Sequence, residues 1–152
     1  MTQTVTLAST SPFRKELLQR LGIQFMTAAP DVDESPLANE TAVALVRRLS
    51  ESKARAVAAT HPGLVIGSDQ VATMENNILG KPGTHARAFE QLRGLSGKRV
   101  TFQNGLCLLN TATDEALVDA IPYTVKFREL GDEQIERYLQ QDQPYHLSLI
   151  HI

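Results

Sequence analysis

The apolar run Leu64-Val65-Ile66 opens behind Pro62-Gly63 and closes in Gly67-Ser68-Asp69-Gln70, and no other segment constrains the fold as tightly. A short apolar run between a chain breaker and a polar turn fits a strand covered on both faces, as in the middle of an α/β sheet. In open α/β sheets, ligands bind in the crevice beyond the carboxyl ends of such strands. Asp69 is therefore expected just past the strand end, as the first candidate for chemistry. An isolated Asp in that place also caps turns, so position alone leaves both readings open.

The flanking segments supply the rest of an α/β pattern. Val5-Thr6-Leu7-Ala8 reads as a first strand, followed by a helix with Ser11 at its cap, Pro12 in its first position and Leu17, Leu18 and Leu21 turned inward. Gly22 ends that helix, and residues 23–27 form a second strand that runs into the acidic loop Asp31-Val32-Asp33-Glu34. Asn39 is expected to cap a long helix carrying Val43, Val46, Leu49, Ala54 and Val57 near helical spacing. Beyond the Asp69 strand, Glu75-Asn76-Asn77 suits a small hairpin, and Thr84 caps a helix with Ala88, Phe89 and Leu92 inward. Residues 100–109 and 116–127 form a long β-hairpin, and a last helix begins at Gly131-Asp132. The expected class is α/β, with a mixed twisted sheet flanked by helices.

Composition narrows the function classes. The 152 residues suit one domain, and 42% hydrophobic and 21% charged residues with a net charge of −2 fit neither a disordered polyelectrolyte nor a basic nucleic-acid binder. Aromatic residues at 5% give no interleaved stacking platform for single strands, so no nucleic-acid partner is expected. The lone Cys107 lies in an apolar run and reads as a small buried hydrophobe in a reducing compartment. No run reaches the roughly 18 to 20 apolar residues of a membrane span, and the N-terminus lacks a signal core, so a cytoplasmic protein is expected. Four His and one Cys without close pairs argue against structural zinc, and any metal would be held by oxygen.

The chemistry-bearing residues fall at element ends. Ser9, Ser11 and Arg14 place hydroxyls and a guanidinium at a strand-to-helix turn, a combination that suits phosphate oxygens but also occurs in plain helix caps. With Glu34, Asp69, Lys53 and Lys81, the inventory becomes two carboxylates and three cations, as metal-assisted phosphoryl or nucleotidyl chemistry requires. For Lys53 a solvated helix face is the default.

In order along the chain, Ala8-Ser9-Thr10-Ser11-Pro12-Phe13-Arg14, Val32-Asp33-Glu34, Lys53-Ala54, Gly67-Ser68-Asp69 and Gly80-Lys81-Pro82 resemble the Maf family of nucleotide pyrophosphatases. The resemblance implies a Maf/ITPase-like fold and hydrolysis of a nucleoside triphosphate between its α- and β-phosphates with a divalent cation, Mg²⁺ or Mn²⁺. It further implies that Ser9, Arg14, Lys53 and Lys81 contact phosphates, that Glu34 and Asp69 serve the metal, that Asp69 activates water, and that the protein is a homodimer. Phe13 and Gln70 resemble the branch of the family acting on 7-methyl-GTP rather than the one acting on dTTP and UTP. A ring at position 13 can attract the delocalised positive charge of 7-methylguanine, and Gln70 can hydrogen-bond the base or sugar. Phe13 can equally pack as a hydrophobic staple of its own helix.

The resemblance spans residues 5 to 145, giving an expected domain at 1–145, incomplete at its C-terminus. Residues 146–152 read as a tail foreign to the family, in which His146 and His151 lack a third ligand. The alternatives to 7-methyl-GTP turnover are dTTP/UTP hydrolysis and nucleotide binding without turnover.

Overall fold

The computed structural model describes residues 3–142. The tail 146–152, with His146 and His151, lies outside the described residues. The elements follow in the order β1 (Val5–Ala8), α1 (Pro12–Gln19), β2 (Met26–Ala28), α2 (Ala42–Ala58), β3 (Leu64–Met74), β4 (Asn77–Leu79), α3 (His85–Leu95), β5 (Arg99–Asn110), β6 (Glu115–Lys126) and α4 (Asp132–Asp142). The sheet has the strand order β2-β1-β3-β5-β6, with β4 paired to β3. β1 pairs in parallel with both β2 and β3, while β4 is antiparallel to β3, so the sheet is mixed as expected.

The chain divides into two compact units, Met1–Gln70 with Asn104–Ile121, and Val71–Gln103 with Pro122–Ile152. In the first, Ala8, Val65, Cys107 and Leu109 from the strands meet Ala54 and Val57 of α2 in one buried cluster. The approach of α2 to the sheet is close enough to require glycine. A Cβ on Gly67 would fall 2.0 Å from the Ser50 carbonyl oxygen, and one on Gly105 would fall 2.2 Å from that of Val46. In the second unit, Ala88, Leu92 and Leu95 of α3 and Ile135 and Leu139 of α4 pack with Ala72, Val100 and Phe102. Each large side chain buried there contributes about 1.5–3 kcal/mol of transfer free energy. The β3–β4 turn carries positive φ at Glu75 and Asn76, the backbone a two-residue hairpin needs.

Three expectations are corrected. The long helix is capped by Thr41, whose hydroxyl accepts from the Ala44 N–H, and not by Asn39, which takes a left-handed φ of 60° in the preceding turn. Helix α1 buries none of its residues; Leu17 and Leu21 are exposed because no described residue covers that face. Finally, β3 does not end before Asp69. It runs on to Met74, because the Ser68 hydroxyl and the neighbouring β5 continue the pairing after β1 has stopped at Ala8. No helix among the described residues is long and apolar enough to cross a membrane.

Candidate active site

Register decides which residues share a level in the sheet. Leu7 of β1 lies opposite Ile66 of β3 and beside Thr27 of β2, so the parallel strands send their carboxyl ends to one edge. β1 delivers Ser9 there and β2 delivers the loop that holds Glu34. Because β3 continues, Asp69 stands about one residue, roughly 3.3 Å, beyond the level of Ser9. Ser9 and Asp69 thus sit at neighbouring levels of the same sheet edge.

Asp69 points to the same face as Gly67, the face on which α2 lies. As the crossover between parallel strands, α2 runs antiparallel to them, and side chains on a helix lean toward its N-terminus. Lys53, one turn past Leu49, therefore sends its stem along the buried face of α2 toward the carboxyl ends of the strands. Its Nζ lies 3.0 Å from Asp69 Oδ1 and 2.6 Å from Glu34 Oε1. Only 7% of the Lys53 side chain and 9% of the Asp69 side chain remain exposed, so neither charge would be tolerated without the other. Lys53 is no solvated helix residue. The other Asp69 oxygen has no hydrogen-bond donor among the described residues.

The Glu34 loop is held from the same helix. Arg48 Nε and Nη2 donate to Glu40 Oε2 and Oε1 at 2.7 and 2.9 Å, and Nη2 also donates to the Ser35 carbonyl at 3.1 Å. Glu40 Oε1 accepts from the Leu37 N–H, and Asp33 Oδ1 from the Ser35 N–H. The Arg48 guanidinium, then the Leu37 N–H, hold the Glu40 carboxyl down at about 2, and the Ser35 bonds lower that of Asp33.

The remaining candidates stand as follows. Ser9 is buried and its Oγ accepts from the Ser11 N–H, while Ser11 caps α1 by accepting from the Arg14 N–H. Arg14 is half-buried in the first turn of that helix, and Phe13 beside it is 44% exposed. Gln70 points away from Asp69, to the opposite face of the sheet, and donates through Nε2 to Asn104 Oδ1. Lys81 belongs to the second unit, exposed on the segment after β4, where the Gly80 carbonyl accepts from Gln91 Nε2. The ion pairs thus join Glu34, Lys53 and Asp69. Sequence reasoning missed Arg48 and Glu40, which have no pairing signature eight residues apart, and Asn104, a lone amide in the alternation Val100, Phe102, Asn104, Leu106 that did carry a signal.

Among the described residues no group of three or more His, Cys, Asp or Glu could hold a metal ion, so an all-protein cage is absent. Glu34 Oε1 and Asp69 Oδ1 converge on the Lys53 ammonium and not on an open position. What fits Mg²⁺ or Mn²⁺ is the donor type, since one or two carboxylates hold such a cation together with water and substrate phosphates.

Solved structures share the fold. The Ham1 protein of Staphylococcus aureus superposes with a TM-score of 0.58 at 14% identity, over 82% of this chain and 71% of that one. A nucleoside-triphosphatase, or dITP/XTP pyrophosphatase, of Mycobacterium abscessus gives 0.52 at 15% identity, over 81% and 73%. Sequence relatives are much nearer. A protein of Nitrosococcus oceani named 7-methyl-GTP pyrophosphatase is 55% identical over 143 residues, 93% of this chain and 72% of the relative. A protein of the same name from Pseudomonas aeruginosa is 55% identical over 139 residues, 91% and 72%. The family described as Maf-like protein matches residues 4–148, and with that match and these relatives the chain belongs to the Maf family.

Proposed function

We propose that the protein hydrolyses the α–β anhydride of a nucleoside triphosphate, with 7-methyl-GTP as the preferred substrate, giving 7-methyl-GMP and diphosphate. The observation that carries this reading is the buried Lys53 shared by Asp69 and Glu34 at the strand ends of a Maf-family chain. The relatives' names support the choice of nucleotide.

In this reading Asp69 takes the proton of a water whose oxygen bonds to phosphorus as the bridging P–O bond breaks, and diphosphate leaves with the bonding pair. Glu34 and Asp69 would hold a divalent cation, which supplies charge neutralisation at the phosphate oxygens. Lys53 sets the position of both carboxylates and adds positive charge where the leaving group gathers negative charge. Ser9, Arg14 and Lys81 bind phosphate oxygens, the Ser9 hydroxyl as donor, since a phosphate oxygen accepts and the Ser9 Oγ can donate to it while still accepting from the Ser11 N–H. Phe13 and Gln70 contact the base. We assign the Maf-like domain to residues 1–145 and the protein to the cytoplasm, acting as a homodimer. The exposed Leu106, Leu108, Leu117 and Ile121 of β5 and β6 support self-association.

Diphosphate release from 7-methyl-GTP, GTP, dTTP and UTP with Mg²⁺ tests the proposal, with Asp69→Asn run beside the unmodified chain. Release fastest from 7-methyl-GTP and lost in the variant is expected. Equal rates on dTTP or UTP would overturn the base assignment, and nucleotide binding without release would overturn the turnover.

A further inference from the structure

Beside the catalytic group, β3 carries an amide whose orientation is dictated from two strands away. Gln70 Nε2 donates to Asn104 Oδ1 on β5, and Asn104 Nδ2 donates to the main-chain oxygen of Ile121 on β6 at 3.1 Å. All three residues lie in the same compact unit. The direction of this chain follows from the last member. A carbonyl oxygen can only accept, so Asn104 must turn its NH₂ to Ile121 and its Oδ1 to Gln70. Gln70 must then turn its own NH₂ to Asn104. Rotating either amide by 180° would set donor against donor or acceptor against acceptor, and half-burial makes such a mismatch costly. The group left over is Gln70 Oε1, which accepts no hydrogen bond from any described residue.

Its surroundings fit a ligand role. Gln70 faces away from α2. Because β2 and β3 flank β1 on opposite sides, right-handed crossovers put α1 and α2 on opposite faces of the sheet. Gln70 and the exposed ring of Phe13 on α1 therefore share a face.

We propose that Asn104 is a positioning residue that fixes Gln70 as a hydrogen-bond acceptor, so that the site reads its base through adjacent donors, the N1–H and N2–H₂ of guanine. This rests on the reading above that Gln70 contacts the base. One carbonyl oxygen has two lone pairs and can take both donors at once. Hypoxanthine, which lacks the 2-amino group, offers one donor, and uracil and thymine offer a single N–H flanked by acceptors. Methylation at N7 keeps both donors in the cationic form of the base, so the preference extends from guanine to 7-methylguanine in that form.

Equilibrium binding of the monophosphates GMP and IMP tests this without requiring turnover. The unmodified protein is expected to bind GMP roughly tenfold more tightly than IMP. Gln70→Ala should bring the ratio near one. Asn104→Leu, which frees the Gln70 amide to turn, should do the same. Asn104→Asp keeps an acceptor facing Gln70 Nε2 while setting an oxygen against the Ile121 carbonyl, so it should lower the melting temperature yet preserve the ratio, which separates positioning from general packing. A ratio lost with Gln70→Ala but kept with Asn104→Leu would overturn the positioning role and leave the base contact standing. A ratio near one in the unmodified protein, or unmoved by Gln70→Ala, would overturn the base contact and the proposal with it, while leaving diphosphate release by Asp69 a separate result.

Discussion

Asp69 and Glu34 hold the same ammonium, and they are supported in opposite ways. Asp69 comes from the middle of a paired strand with 9% of its side chain exposed, while Glu34 comes from a loop with 57% exposed. The strand fixes Asp69 through its ladder and through the contact of Gly67 with α2. The loop borrows its order from a single arginine, Arg48, five residues before Lys53 on the same helix. One carboxylate is therefore held by its strand and costly to leave unpaired, whereas the other is cheap to expose. In the proposed reaction the base that meets water at a fixed angle comes from the strand, and the ligand that admits substrate comes from the loop.

The largest effect expected from this contrast is on turnover. Asp69→Asn keeps an oxygen acceptor for Lys53 but has no basicity, so diphosphate release should fall by roughly 10³-fold. Glu34 is then the carboxylate still paired with the buried ammonium, so the melting temperature should fall as well. A folded variant that keeps diphosphate release would make Asp69 a structural partner of Lys53 and nothing more. Next is the cation. Lys53→Met leaves Asp69 buried without its counter-charge and should cost about 3 kcal/mol, measured by denaturant unfolding. The double variant Lys53→Met/Asp69→Leu should regain most of that stability without regaining activity, and failure to regain it would show that the pair is not the source of the cost. Glu34→Gln should do the reverse of Lys53→Met. The Glu34 carboxylate is 57% exposed and Asp69 remains to balance Lys53, so stability should change by about 1 kcal/mol or less. Turnover should fall about tenfold at limiting Mg²⁺ and recover in part as Mg²⁺ is raised. An equal loss of stability for Glu34→Gln and Lys53→Met would erase the distinction between strand and loop.

What the sequence disclosed follows the same division. The apolar spacing of Val46, Leu49, Ala54 and Val57 located α2, and the caps Ser11 and Thr84 located the starts of α1 and α3, because these signals are local. Gly67 misled because a glycine after an apolar run reads as a turn, whereas here it serves the close approach of a helix that is distant in sequence. Lys53 looked like a surface lysine because the apolar spacing of α2 does not show that its buried face also meets a carboxylate from β3. The exposed leucines of α1 failed for a related reason, since helical spacing shows that a face is apolar and not what covers it. The motif residues were legible as a set, but their division between strand, helix and loop was not.

The smallest effect concerns the Arg48 clamp, and it has a sign. Glu40 has a folded value of about 2 against an ordinary 4.5, held down by the Arg48 guanidinium. A depressed carboxylate contributes stability in full above its unfolded value and loses it as pH falls toward its folded one. The clamp is thus complete above about 4.5, weakens progressively on acidification and is gone below about 2. The Leu37 N–H, which donates to Glu40, should lose hydrogen-exchange protection through that window relative to the Ala44 N–H, which donates to the hydroxyl of Thr41 and does not titrate. In Glu40→Gln, the Leu37 amide should already be less protected at neutral pH and show no further loss in the window. An acid response that survives Glu40→Gln would mean that another carboxylate orders the loop, with Asp33, bonded to Ser35, as the next to replace.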